Sequence, residues 1–75
     1  METVPLKFEN GFVASICASK HFGEEPRYSL ACFDEDGDWY RDVPGFEMPD
    51  DTYQTFSAER VVDFILAVQK LKEEK

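Results

Sequence analysis

The densest chemistry in the chain is the run Asp34-Glu35-Asp36-Gly37-Asp38. Carboxylates alternating around a glycine are what a calcium loop needs, since the ion takes about six to eight oxygen ligands. An EF-hand loop wants acids at positions 1, 3 and 5, glycine at 6 and glutamate at 12. With Gly37 at position 6, Cys32 falls at 1 and Val43 at 12, and the flanks read as strands. A solvated hairpin tip therefore fits this run better, and no metal is expected. Cys17 and His21 are the one nucleophile and base pair that can be assembled. On a strand they lie about 13 Å apart at about 3.3 Å per residue, beyond hydrogen-bond reach. No Gly-rich phosphate cradle and no metal-ligand spacing of His or Cys occurs. Catalysis and cofactor binding are not expected, and a small Cys/His enzyme is the weakest alternative.

Charge points to a kind of partner. The net charge is −8, from 16 acidic and 8 basic residues. Residues 34–51 hold eight acids against Arg41 alone, while residues 1–33 and 52–75 are close to balance. A concentrated excess builds a local negative potential that attracts basic surfaces. The same sign argues against direct nucleic-acid binding, which needs clustered Lys and Arg. Phe33, Trp39 and Tyr40 lie within or beside the acidic stretch, with Tyr28 on the partner strand. Aromatics rimmed by charge are the composition of protein-binding hot spots.

Several elements must position these groups. Val4, Leu6 and Phe8 alternate before Asn10-Gly11, and Phe12 to Ser19 is rich in β-branched and small residues, which predicts a hairpin. A two-residue loop pairs Glu9 with Phe12, Leu6 with Ser15 and Val4 with Cys17. That register puts Val4, Leu6, Phe8, Val13 and Cys17 on one face, and Phe12, Ala14 and Ile16 on the other beside Lys7 and Glu9. Pro5 argues for an edge strand, because it cannot donate to a ladder. Lys20 to Pro26 reads as a loop. A second hairpin runs from Arg27 to Asp34, turns at Asp36-Gly37 and returns from Asp38 to Val43. With two loop residues, Trp39 shares a face with Asp34 and Arg41, and Phe33 shares the other with Tyr40 and Asp42. Pro44-Gly45 and Pro49-Asp50-Asp51 are turns, Phe46 to Met48 is too short for an element, and Thr52 to Phe56 is an edge strand or a lead-in.

Ser57 is a helix N-cap with Glu59 in the first turn, and Phe56 with Val61 occupies the positions of a hydrophobic staple. Val61, Phe64, Ile65, Val68 and Leu71 follow helical spacing, widened by Val62 and Leu66, with Lys70, Lys72 and Lys75 near the end. The expected fold is one α+β domain over residues 1–75: two hairpins in a mainly antiparallel sheet of three to five strands, with a C-terminal helix over 57–74 packed on one face. Cys17 and Cys32 read as reduced, with a disulfide open only if neighbouring strands carry them on one face. METVPLKFEN has neither a basic leader nor a long apolar run, and no 18-residue apolar stretch exists, so a cytoplasmic protein is expected.

The stretch from Tyr28 through Asp34-Glu35-Asp36-Gly37-Asp38-Trp39-Tyr40, then Val43-Pro44-Gly45-Phe46, a Thr-containing turn and an amphipathic helix, resembles the HicB-type antitoxin pattern. It departs from that pattern in the insertion Glu47 to Asp51 and in the hairpin that precedes it. By size, acidity and strands-then-helix order the whole chain also resembles phage-encoded inhibitors of the anti-CRISPR kind. That resemblance implies docking on a nucleic-acid-binding surface of a target. The leading expectation is a non-catalytic inhibitor that covers a basic surface of a partner protein complex. Its binding residues are Asp34, Glu35, Asp36, Asp38, Trp39, Tyr40, Asp42, Glu47, Asp50 and Asp51. The alternative is an antitoxin or regulatory subunit that binds through the helix or a sheet edge.

Overall fold

In the computed structural model, residues 2–19, 26–48 and 51–71 are described. Strands β1 (Glu2–Lys7), β2 (Val13–Ser19), β3 (Arg27–Phe33) and β4 (Tyr53–Thr55) precede a single helix, α1 (Ala58–Gln69). The strands form one antiparallel sheet in the order β1-β2-β3-β4. Helix α1 packs on one face, giving the expected α+β architecture.

The first hairpin departs from its expected register by one residue. Leu6 pairs with Ala14 and Val4 with Ile16. The Phe8 N–H donates to the Phe12 carbonyl at 2.9 Å and the Gly11 N–H to that of Phe8 at 3.0 Å. Glu9-Asn10-Gly11 is thus a three-residue loop, with Gly11 at φ 91° supplying the left-handed residue such loops require. The physical reason lies in the apolar pattern. An odd loop aligns Val4, Leu6 and Phe8 with Phe12, Ala14 and Ile16 on one face, where a two-residue loop would split them. Phe12 and Ala14, expected on the mixed face, are therefore buried in the core. Val13 and Cys17 take the opposite face.

Pro5 sits on an edge strand as expected. The Phe8–Phe12 bond fixes the parity of the ladder, so even-numbered residues of β1 bond to β2 and position 5 points to the free edge. There the proline removes an outward donor and blunts strand addition.

The core gathers Leu30 and Cys32 from β3, Ala14 from β2, and Phe64 and Val68 from α1, all at 0% exposure. Val43, Phe46 and Met48 complete it from a segment without regular structure. Phe46 meets Phe64 and Tyr53 edge to face, at 5.1 and 4.9 Å between centroids. The Arg60 guanidinium lies over the Phe46 ring at 4.2 Å and donates to the Gly45 carbonyl at 2.9 Å, which ties this segment to the first turn of α1.

Helix α1 begins as its sequence requires, with the Ser57 hydroxyl accepting from the Arg60 N–H at 3.3 Å. Phe56 stays 62% exposed, so the staple with Val61 covers little of it. The helix ends at Gln69 rather than 74. The Asn10 amide donates to the carbonyls of Val68, Gln69 and Leu71, at 2.9, 3.1 and 2.8 Å, and occupies the groups a further turn would use. Lys72 and Lys75 lie outside the described residues. No described helix is long and apolar enough to cross a membrane.

Candidate protein-interaction surface

The second turn is built on the same plan as the first. Asp34 N–H donates to the Asp38 carbonyl at 2.9 Å and Gly37 N–H to that of Asp34 at 3.0 Å, with Gly37 at φ 84°. The loop is again three residues, Glu35-Asp36-Gly37, and the expected pairing shifts by one. Asp38 to Val43 forms no strand; it returns through a bridge of Trp39 to Phe33 and a bond from the Tyr40 N–H to the Cys32 carbonyl at 2.9 Å.

This register re-sorts the aromatics. Trp39 now shares a face with Phe33, at 4.6 Å between centroids and 44° between planes. Tyr40 turns to the core side and meets Phe12 edge to face at 4.9 Å. The grouping expected of Phe33 with Tyr40, and of Trp39 with Asp34, is thereby reversed. Trp39, the chain's single tryptophan, is 53% exposed. It continues a row across the face opposite α1 that runs through Phe33, Val13 and Lys7. Ser15, Cys17, Ser29 and Ala31 share that face beside the row.

The acidic tip is held by its own backbone. Asp34 Oδ1 accepts from the N–H groups of Asp36 and Asp38, at 2.9 and 3.0 Å. That leaves the Asp36 and Asp38 side chains exposed, and one carboxylate oxygen from each of Asp34, Asp36 and Asp38 lies within 4.8 Å of the others. Like charges about 5 Å apart repel by about 0.8 kcal/mol per pair in water, and a basic group set against them relieves this. The cluster draws together one carboxylate oxygen from each of three residues, whereas calcium takes about six to eight oxygens.

The remaining candidates spread along the same stretch. Glu35, Asp42 and Glu47 are exposed. Asp51, half-buried at φ 67°, pairs with Arg41 at 3.2 Å. Asp50 and His21 lie outside the described residues. The two cysteines are free and sit on opposite faces: Cys17 beside Ser29 on the open face, Cys32 beside Ala14 in the core. That alternation removes the geometric case for a disulfide. Burial, with the Asp34 charge adding to it, pushes the Cys32 thiol up to about 11, so it stays protonated and a poor nucleophile at neutral pH.

Two features escaped the sequence. Phe33 as the platform under Trp39 was signalled by the Glu-Asp-Gly triplet, which fits a three-residue loop as well as Asp-Gly fits a two-residue one. Asn10 as the clamp on the helix end had no local signal, because its acceptors lie some 60 residues away. No family model, curated protein or solved structure matches the chain.

Proposed function

We propose that the protein is a non-catalytic inhibitor or adaptor whose acidic hairpin covers a basic, nucleic-acid-binding surface of a partner protein. The observation that carries this reading is Trp39, 53% exposed and set at a tilt against the Phe33 ring, next in sequence to a trio of carboxylates with oxygens within 4.8 Å of one another. Carboxylates alone give steering and salt-sensitive attraction. An exposed indole supported from beneath adds the apolar anchor from which most interface energy comes. Duplex DNA carries one charge per about 1.7 Å of axis, and the turn gathers three carboxylate oxygens, from Asp34, Asp36 and Asp38, within 4.8 Å of one another, with Glu35 and Asp42 exposed beside them.

The test is capture of partners from lysate on the immobilised protein, followed by elution with either duplex nucleic acid or salt. The reading expects a nucleic-acid-binding protein that nucleic acid displaces and that leaves between about 0.2 and 0.5 M salt. A partner that ignores nucleic acid and stays bound through high salt would contradict it and favour an interface on the helix or a sheet edge.

A further inference from the structure

Opposite the core, α1 carries a second stripe. Glu59, Val62, Asp63, Leu66 and Lys70 recur at three- and four-residue spacing and are all exposed, so they line the side away from buried Phe64 and Val68. Val62 and Leu66 are 54% and 46% exposed, an apolar ridge at the middle of the stripe. Asp63 is engaged by Arg60 at 3.6 Å, while among the described residues neither Glu59 nor Lys70 has an ion-pair partner. Beside the ridge runs an open groove of about 340 Å³, lined by Pro44, Asp63, Leu66, Ala67, Lys70 and Leu71.

We propose that this face binds the same face of a second copy, with the two helices antiparallel about a two-fold axis near residues 64 and 65. Such an axis lies in the contact plane, perpendicular to both helices, and keeps what lies beside the first helix on the same side of the second. The Val62–Leu66 ridge of each copy then packs along that of the other, with the two grooves facing each other beside it, so that one patch meets itself as an isologous contact demands. Reversal also sets Val62 against the second copy's Leu66 and Glu59 against its Lys70. Charge selects this face. The eight acids of residues 34–51 repel a second copy, whereas residues 52–75 balance four acids with four bases. A 12-residue helix is about 18 Å long, and its face is smaller than the roughly 800 Å² per partner of a standard interface. The dimer is accordingly weak and concentration-dependent.

Sedimentation equilibrium of the full chain at about 0.15 M salt, from about 20 µM to about 2 mM, tests this. The wild type is expected to pass from monomer to dimer across that range. Val62→Lys and Leu66→Lys each weaken association by about tenfold or more with helical circular dichroism unchanged, since both side chains are exposed. Glu59→Lys and Lys70→Glu each weaken it alone, and an equimolar mixture of these two variants associates more tightly than either, because every end pair then joins opposite signs. A chain that stays monomeric throughout, or a dimer indifferent to all four substitutions, overturns the proposal.

Discussion

At one end of the sheet, Phe8-Glu9-Asn10-Gly11-Phe12 and Asp34-Glu35-Asp36-Gly37-Asp38 close with the same pair of backbone bonds, 2.9 and 3.0 Å in each, around a glycine at φ 91° and 84°. The middle side chain separates them. Asn10 turns inward, accepts from the Phe12 N–H at 3.0 Å and donates to the end of α1, so the first turn belongs to the fold. In the second turn the equivalent N–H, that of Asp38, is taken by Asp34. Asp36 is thereby left to solvent instead of holding the end of the helix as Asn10 does. One backbone device thus serves packing in one hairpin and presents charge in the other, and the choice rests on which side chain satisfies the loop's own donors.

Substitutions at matched places separate these roles. Phe12→Ala, behind the first turn, removes a buried ring and the contact with Tyr40, and is expected to cost about 3–5 kcal/mol in denaturant unfolding. Trp39→Ala, behind the second, is expected to cost about 1 kcal/mol or less in stability but about 2 kcal/mol or more in partner affinity by calorimetry. An unfolded Trp39→Ala variant would erase the distinction. Next, Asn10→Ala strips the helix end of its clamp and should lower stability by about 2 kcal/mol, against about 0.5 kcal/mol or less for Asp36→Ala. Equal losses would mean that both turns are structural.

The acidic turn still touches the core through Cys32. The unfolded thiol titrates near 9.0 and the folded one near about 11, so above pH 9 the folded state keeps a proton that the unfolded state has released. Stability present below pH 9 therefore falls as pH rises toward 11, by about 2 kcal/mol near pH 10.5. Asp34→Asn keeps the Oδ1 acceptor, removes the charge and should reduce that loss in thermal melts at a series of pH values. Gly37→Ala is expected to cost about 1 kcal/mol, since a Cβ there meets nothing within 4 Å and the cost is that of the left-handed backbone. A loss above about 3 kcal/mol would show the second turn to be packed rather than free.

The sequence made the helix start legible through Ser57, the edge strand through Pro5 and the acidic excess through its segment charge. It misled at both turns, where Asn10-Gly11 and Asp36-Gly37 read equally as two-residue loops or as the end of three-residue ones. Apolar alternation resolves the first, since Phe8 and Phe12 share a face only across an odd loop. Val43, Phe46 and Met48 carry no period because they enter the core from irregular backbone. Trp39's exposure followed from register and could not be read before register was right.

On the proposed reading, the acidic hairpin is the binding surface and is separable from the fold. The most direct measurement is the affinity of the captured partner as a function of salt, for wild type and for Asp36→Asn/Asp38→Asn/Asp42→Asn, with unfolding curves recorded in parallel. Weaker binding, a flatter dependence of log Kd on log salt and unchanged stability are expected of the variant. Equal affinity and equal slope for the two proteins would contradict that reading.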